Sequence, residues 1–453
     1  MKIVIIGAGA AGTSAATEAR KINREAEITV INSEGYPEYS RCGLPYAISG
    51  EIKAFENLIL HGESWYDKFG KVKLMLSTEV MQIQLDSNTI KVKHHDGSSE
   101  DLQYDSLVLA TGSKPSVPPI QGLEKKGVFT LRTIGDGKNI MNFGTHGKRA
   151  VVVGAGLIGL ELAEALHSRG VKVTVIEFLP NVLLAMVDDD IAEVVRKKIE
   201  EEGVKLILNT KVDEVVGKEK VEGVVATNRE NNEKVTVEAD MIVLAAGIKP
   251  DTSLAEKAGI KLGPAKAIKV NEHMRTSIEN IYGAGECTEY IDFVTGESTR
   301  VGLGTIAVRQ GKVAGTNAAG GNIALERLLN CRVTKLFGVE VAGVGPVSDA
   351  ATKAGIKLIS AKFRGSTLPE YMPGGKEIAV KVLADEKGKI VGAQIVGEEE
   401  VAQRINIFAA GILKGINVEE FSYLETCYAP PIAPTWDSIT IAAESVAKKL
   451  KRR

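Results

Sequence analysis

The chain has 453 residues, with 56 Lys or Arg, 58 Asp or Glu and a formal net charge of −2. This balance gives no reason to expect nucleic acid as a partner, and the length predicts about three domains. The sequence shows no apolar run of about 18 residues and no leader peptide, so we expect a cytoplasmic protein without a membrane span.

The first nucleotide-binding fingerprint occupies residues 7–12, after a short apolar run that predicts a buried parallel strand. In this motif the first glycine permits a tight turn, the second lets the backbone approach a pyrophosphate, and the third lets a helix pack closely. A single match is weak evidence, because chance or a structural turn also produces it. The residues expected to contact the nucleotide are Gly7, Gly9, Ala10, Ala11 and Gly12.

The second predicted strand, residues 27–31, should end in an acid that binds ribose hydroxyls. Asn32 occupies that place, which is a departure from the usual pattern. Its amide can still hydrogen-bond a ribose, or Glu34 reaches back to do so; Ser33 is a further expected contact.

A lone cysteine, Cys42, follows at the start of a predicted helix over residues 43–48. The thiolate is the reactive form of cysteine, and the amides at a helix start favour an anion. We therefore predict that Cys42 is redox-active, against the alternative of an inert buried cysteine. Ser40 and Arg41, which directly precede it, are expected to contact the nucleotide of the first fingerprint. The other three cysteines form no C-x-x-C pair and are predicted to pack: Cys287, Cys331 and Cys427.

Two similar segments, residues 106–113 and 241–250, each combine a buried strand with a small-residue turn before proline. They are predicted to carry the chain between two domains, so that the second nucleotide domain is inserted into the first. A strand-and-glycine element at residues 280–286 completes the first domain. The cofactor contacts predicted around these segments are Val80, Ala110, Thr111, Gly112, Gly247, Gly285 and Glu286.

The second fingerprint follows the predicted strand 150–153, and its next strand, 172–176, ends at Glu177. A carboxylate there binds the ribose and repels the extra phosphate of NADP, so we expect a preference for NADH unless a nearby cation such as Lys172 offsets it. The predicted contacts are Gly154, Gly156, Leu157, Ile158, Gly159 and Glu177. Two dinucleotide sites with one thiol between them imply electron transfer to sulfur or oxygen.

The pattern changes near residue 330, where a hairpin over 377–383 and 390–396 precedes an amphipathic helix over 399–414. This predicts an α+β interface domain. The expected domains are 1–115 with 248–329 for the first nucleotide, 116–247 for the second, and 330–453 for the interface. The adjacent His94 and His95 precede a predicted turn at residues 96–97; a solvated turn is favoured there over metal binding, and no metal site is predicted.

Taken together, these segments resemble the FAD-dependent pyridine nucleotide-disulfide oxidoreductases along essentially the whole chain. The resemblance implies an α/β fold with two Rossmann-like domains, one inserted in the other, and a C-terminal α+β dimerisation domain. It also implies FAD at the first fingerprint, NAD(H) or alternatively NADP(H) at the second, and a homodimer. Glu286 replaces the family's usual aspartate beside the FAD ribityl chain.

The cysteine pattern indicates a branch of this family. Members with an internal dithiol carry C-x-x-x-x-C, and here the second position is Ala47. The chain thus resembles the single-cysteine branch of coenzyme A-disulfide reductases, persulfide or polysulfide reductases, NADH oxidases and NADH peroxidases. Peroxidases and water-forming oxidases of the branch carry histidine where Ala10 stands, which favours a disulfide, persulfide or polysulfide acceptor.

Tyr371 and Tyr428 resemble the tyrosine pair that coenzyme A-disulfide reductases bring to the active site. The resemblance implies that they donate a proton or anchor substrate, with Tyr428 coming from the other subunit; packing at an interface is the alternative. The cations expected to meet coenzyme A phosphates are Arg20, Lys21, Arg24, Lys68 and Lys71.

Other functions stay open at this point. A reduced flavin open to oxygen would make the protein an NADH oxidase. Transfer of electrons to a small redox protein is another possibility, against which Cys42 argues, because such flavoproteins usually lack a thiol there. A binding or sensing role would need both fingerprints to be occupied without turnover.

Overall fold

The computed structural model describes residues 1–300 and 302–452. Its helices are α1 Ala10–Ile22, α2 Leu44–Ser49, α3 Glu63–Trp65, α4 Ile134–Phe143, α5 Leu157–Ser168, α6 Asp189–Glu201, α7 Ser253–Lys257, α8 Gly304–Ala318, α9 Ser348–Lys353, α10 Val401–Lys414, α11 Val418–Ser422 and α12 Ser438–Lys451. Turns of 3-10 helix lie at Arg41–Gly43 and Phe55–Leu58, and a π-helical turn lies at Tyr66–Gly70.

The strands of the first half are β1 Lys2–Ile6, β2 Glu27–Ile31, β3 Val72–Met75, β4 Thr78–Gln84, β5 Thr89–His94, β6 Ser99–Gln103, β7 Ser106–Leu109, β8 Ser113–Pro115, β9 Val128–Thr130, β10 Arg149–Val153, β11 Lys172–Ile176, β12 Lys205–Ile207 and β13 Thr210–Val216. Those of the second half are β14 Gly223–Asn228, β15 Lys234–Glu238, β16 Met241–Leu244, β17 Ile248–Pro250, β18 Ile281–Gly283, β19 Tyr290–Ile291, β20 Ser298–Thr299, β21 Cys331–Leu336, β22 Val339–Val344, β23 Leu358–Ser366, β24 Glu377–Asp385 and β25 Ile390–Gly397.

The first sheet is parallel and has the strand order β18-β7-β1-β2-β3. Its central strands are apolar runs that are buried on both faces, which is the pattern of a covered parallel sheet. Helix α1 packs against α8 on one face. Strand β18 joins this sheet from far along the chain, so a long segment lies between its strands.

That intervening segment forms the second parallel sheet, with the order β12-β11-β10-β16-β9. The chain crosses between the two sheets on β8 and β17, which pair antiparallel with Ser113 opposite Pro250. The predicted insertion of one nucleotide fold into the other is thereby confirmed, and the two crossing segments are those that resemble each other in sequence.

The third sheet is antiparallel, in the order β21-β22-β25-β24-β23, and helices α10 and α12 cover one face. Phe408 and Ile439 are fully buried in its core. The predicted hairpin is strands β24 and β25, and the predicted helix begins at Val401, two residues later than expected.

One hydrophobic core joins α2, the helix after Cys42, to the inserted nucleotide fold and to the C-terminal unit. Leu44 and Ile48 of α2 are buried together with Leu160 of α5 and with Leu336 and Phe337 of the third unit. The segment that follows Cys42 is therefore fixed by residues from all three parts of the chain.

Across residues 1–300 and 302–452, no helix has the length and apolar character that a membrane crossing requires. Within the same residues, no group of three or more His, Cys, Asp or Glu side chains is arranged to hold a metal ion.

Candidate active site between two dinucleotide folds

The first glycine loop leaves no room for side chains at its tight points. Gly7 has φ +108°, and a Cβ on Gly12 would lie 1.9 Å from the Gly7 carbonyl oxygen. Ala10 and Ala11 already belong to α1, so the helix starts directly above the turn. This is the close helix-to-strand packing that the fingerprint requires.

Arg41 lies over the same loop. A Cβ on Gly9 would be 3.3 Å from Arg41 Nη1, and among the described residues the buried Arg41 Nε has no partner. A guanidinium with an unused donor above a glycine loop suits a phosphate group. The loop and Arg41 therefore fit the pyrophosphate of a dinucleotide such as FAD.

Asn32, at the end of β2, was expected to hydrogen-bond a ribose, but its amide already has a partner in the protein. Its Nδ2 donates to the carbonyl oxygen of Tyr36 at 2.8 Å, within its own loop. Glu34 instead accepts hydrogen bonds from the Tyr39 hydroxyl, at 2.7 Å, and from Arg41. Glu34 thus anchors the arginine that precedes the thiol. Ser33 is exposed and Ser40 is half-buried.

Glu286 and Arg132 form an ion pair beside the first nucleotide fold. Glu286 Oε2 accepts from Arg132 Nη2 at 2.7 Å and from Ser113 Oγ at 2.5 Å. The Arg132 Nε is a second buried donor without a partner among the described residues. A Cβ on Gly112 would be 3.2 Å from Arg132 Nη2, so this pair closes over the predicted Gly112 turn.

Most of the remaining predicted FAD contacts lie near the carboxyl ends of neighbouring strands of the first sheet. Ala110 follows β7, and Gly285 follows β18, its neighbour in the sheet. Thr111 Oγ1 donates to the Asp251 carbonyl at 2.6 Å, and the Gly285 N–H donates to Gln310 Oε1 at 2.9 Å. Val80 lies in the hydrophobic core beneath β2, so its side chain serves packing.

Cys42 lies on the 3-10 turn before α2, which begins at Leu44 and has six residues. The residue is solvent-exposed but closely surrounded by protein. This partial burial, together with Glu161 and Glu286, raises the pKa of the Cys42 thiol, while Arg132 lowers it. A backbone hydrogen bond at Cys42 also lowers this pKa, in the direction expected for the amides at a helix start, but burial and the two carboxylates act against it.

Glu161 is a residue that the sequence analysis missed. It lies on α5 and accepts a hydrogen bond from Thr334 Oγ1 of β21 at 2.7 Å. Burial and the neighbouring Glu164 raise the pKa of the Glu161 carboxyl. Glu161 therefore joins the inserted fold to the third unit close to the thiol.

The second glycine loop repeats the geometry of the first. Gly154 has φ +112°, and a Cβ on Gly159 would lie 2.1 Å from the Gly154 carbonyl oxygen. Gly156 and Gly247 have open space where a Cβ would stand. Leu157 is half-buried and Ile158 is exposed at the start of α5. An open glycine cradle at a helix start fits the pyrophosphate of NAD(H).

Glu177 lies at the end of β11, as predicted, and is 9% exposed. Its two carboxylate oxygens accept backbone N–H groups, Oε2 from Ala155 and Oε1 from Leu179 at 2.8 Å. Lys172 is at the opposite end of β11, about 16 Å of extended strand away. Lys172 is therefore not the cation near the ribose end, and that suggestion was wrong.

Two family models match this chain. The pyridine nucleotide-disulphide oxidoreductase model matches residues 1–311, and the model of its dimerisation domain matches residues 332–438. The chain belongs to the pyridine nucleotide-disulphide oxidoreductase family. As an oxidoreductase of this family it uses FAD and NAD(H) and forms a homodimer.

Relatives of this oxidoreductase cover its whole length. An NADH oxidase of Methanocaldococcus jannaschii is 43% identical over 100% of both chains. A CoA-dependent NAD(P)H sulfur oxidoreductase of Pyrococcus abyssi is 35% identical over 97% of each chain. The structure of an NAD-dependent persulfide reductase from A. fulgidus superposes with a TM-score of 0.95 at 35% identity, covering 100% of this chain and 84% of that one.

Tyr371 and Tyr428 of the oxidoreductase meet in the dimerisation unit. Their hydroxyl oxygens are 3.1 Å apart, and the side chains are 68% and 50% exposed. The hydrogen bond to Tyr428 raises the pKa of Tyr371. Because both hydroxyls belong to one chain, the two tyrosines reach any active site from the same subunit. The exposed Cys427 precedes Tyr428.

Among the cations expected to contact coenzyme A, Arg20 makes hydrogen bonds within the protein. Its guanidinium donates to the carbonyl oxygens of Arg24 and Lys71, both at 2.6 Å, and of Gly70 at 3.2 Å. Lys21 pairs with Glu18 at 2.7 Å. Arg20 therefore holds the loop after α1, and the structure corrects its predicted role.

Proposed function

We propose that the oxidoreductase reduces a sulfur–sulfur bond, in a coenzyme A disulfide, a persulfide or a polysulfide, with electrons from NADH and with Cys42 as the redox-active thiol. Gly7, Gly9 and Arg41 would hold the FAD pyrophosphate with the rest of the first loop. Glu286 would meet its ribityl chain. The second loop and Glu177 would hold the nicotinamide dinucleotide.

One observation carries this proposal: Cys42 is an exposed thiol, and the helix that follows it, α2, contains no second cysteine. Position 47 is Ala47, which is buried in the core. Cys287 is fully buried and donates to the carbonyl oxygens of Leu109 and Ala284. On this proposal, an acceptor from outside the chain supplies the second sulfur or the oxygen.

The chemistry follows from that arrangement. The Cys42 thiolate attacks one sulfur of the acceptor, a mixed disulfide forms, and a thiolate leaves and takes a proton. Tyr371 and Tyr428 are the proposed proton donors, because their hydroxyls already share a hydrogen bond. When FAD is bound, it supplies the electron pair of NADH to the site. Two electrons then cleave the mixed disulfide and restore the Cys42 thiolate with release of the second thiolate.

Oxygen is the second candidate acceptor. The 43% identity to a protein named NADH oxidase favours it. Ala10 argues against efficient reduction of peroxide, since a methyl group stands where a proton donor would be needed.

The test is anaerobic NADH consumption by the purified flavoprotein with coenzyme A disulfide and, separately, with polysulfide, compared with aerobic consumption without either. We expect fast anaerobic turnover that Cys42→Ser abolishes, while reduction of the flavin by NADH persists. Cys331→Ser is the matched control and should behave as the parent protein. Turnover with oxygen alone, or disulfide turnover that survives Cys42→Ser, would refute the proposal.

We also propose that the protein is cytoplasmic. The four cysteines are free thiols, which fits a reducing environment such as the cytoplasm.

A further inference from the structure

Arg229 lies at the adenosine end of the second dinucleotide fold. It follows strand β14, and its side chain reaches the segment directly after Glu177. The guanidinium carbon is 3.8 Å from the centroid of the Phe178 ring. A guanidinium stacked on an aromatic face is held in one plane, because the ring restricts its rotation and attracts its charge.

Two hydrogen bonds fix the orientation of this side chain. Arg229 Nη1 donates to the Phe178 carbonyl oxygen at 3.0 Å and to Asn209 Oδ1 at 3.2 Å. The backbone N–H of Arg229 also donates to the Asn209 carbonyl at 2.9 Å. Among the residues that the structure describes, Nε and Nη2 have no hydrogen-bond partner, and both Arg229 and Phe178 are exposed. Arg229 thus offers two unused donors on an exposed side chain, next to the segment that follows Glu177.

Glu177 and Arg229 do not form a hydrogen bond or a salt bridge with each other, and the carboxylate has other partners. Both oxygens of Glu177 accept backbone N–H groups, so its carboxylate is tied into the glycine loop. Arg229 forms no salt bridge within residues 1–300 and 302–452. Its positive charge is consequently available to a ligand at the point where the adenosine ribose would lie.

We propose that Arg229 binds the 2′-phosphate of NADPH, so that this oxidoreductase accepts NADPH as well as NADH. A planar guanidinium with two free N–H directions matches a phosphate better than a single ammonium does. NADH lacks the phosphate and leaves Arg229 without a ligand, so its binding is independent of the residue. The inference depends on the family's use of a nicotinamide dinucleotide and not on the proposed sulfur acceptor.

Calorimetric titration of the flavin-loaded protein with NAD⁺, NADP⁺ and 2′,5′-ADP tests this directly. We expect Arg229→Gln to weaken binding of NADP⁺ and of 2′,5′-ADP by at least about tenfold, the loss of one charge-assisted contact, and to change NAD⁺ binding less than about twofold. Arg229→Lys should keep part of the NADP⁺ affinity. Lys172→Gln, at the far end of β11, is the control and should leave all three affinities unchanged.

A second measurement follows the anaerobic bleaching of the flavin by NADPH and by NADH, which involves neither Cys42 nor a sulfur acceptor. Arg229→Gln should slow the NADPH reaction selectively at subsaturating NADPH. Three results would overturn the inference: the parent protein binds NADP⁺ more than about a hundredfold more weakly than NAD⁺, Arg229→Gln leaves NADP⁺ binding unchanged, or it weakens NAD⁺ and NADP⁺ equally. Because no acceptor takes part, none of these results bears on the function proposed for Cys42.

Discussion

We expect the ion pair between Arg132 and Glu286 to influence the protonation of the Cys42 thiol, and replacing Arg132 by Gln tests this. The two side chains are 18% and 21% exposed and 2.7 Å apart. In the parent protein Arg132 lowers the pKa of Cys42, whereas Glu286 and Glu161 raise it. Arg132→Gln removes the positive charge and leaves the Glu286 charge without its partner, so the pKa of Cys42 should rise.

Below the pKa of a thiol, the thiolate fraction falls about tenfold for each unit by which that pKa rises. Disulfide reduction by Arg132→Gln should therefore be slower than that by the parent protein at neutral pH and should recover as the pH is raised, because only the thiolate attacks. Reduction of oxidised sulfur in the parent protein should likewise increase with pH, for the same reason.

The assay is the rate of alkylation of Cys42 by iodoacetamide as a function of pH, quantified by mass spectrometry of the peptide that contains it. Arg132→Gln should move the midpoint to higher pH, and Glu161→Gln should move it to lower pH. Lys138→Gln breaks a pair with Glu56 of the same 2.7 Å length at the surface and should have no effect. A midpoint that stays in place, or that moves the same way in Arg132→Gln and Glu161→Gln, would refute this electrostatic account.

Three further outcomes are expected. Gly12→Ala would place a methyl group 1.9 Å from a carbonyl oxygen and should yield protein depleted in FAD by its absorbance, whereas Gly156→Ala, with open space at that point, should retain the flavin. Arg404→Leu leaves the buried Asp437 carboxylate, 2.9 Å away, without its partner and should lower the free energy of unfolding by about 3–5 kcal/mol in denaturant titrations; a loss below about 1 kcal/mol would contradict the burial of this pair. Tyr428→Phe should slow disulfide turnover without altering reduction of the flavin by NADH, and unchanged turnover would assign that tyrosine to packing alone.

The sequence was sufficient for the two nucleotide folds. Strands 27–31 and 172–176 occur at the predicted residues, because β-branched runs followed by glycine turns satisfy both the covered parallel sheet and the phosphate-binding turn. The insertion of one fold in the other could also be predicted, since the repeated strand-and-turn segments mark where the chain crosses. The exact domain boundaries stay a prediction.

The sequence was less informative about what surrounds the thiol. Arg132 carries no motif of its own, although the T-x-x-D pattern that follows it, Thr133 to Asp136, signals the start of α4 and so fixes its place. Glu161 belongs to a helix that follows the second fingerprint, and nothing local connects it to Cys42. The packing of α2 against α5 and against α4 brings these charges to the thiol.

Local sequence thus determined the glycine loops, the strands and the lone cysteine, because these depend on backbone geometry within a few residues. Tertiary structure alone decided which charges act on them. Arg229 reaches Phe178 across 51 positions of sequence, and Arg132 reaches Glu286 across 154. Electrostatic interactions depend on distance in space, and that distance is set by how the two folds and the third sheet pack together.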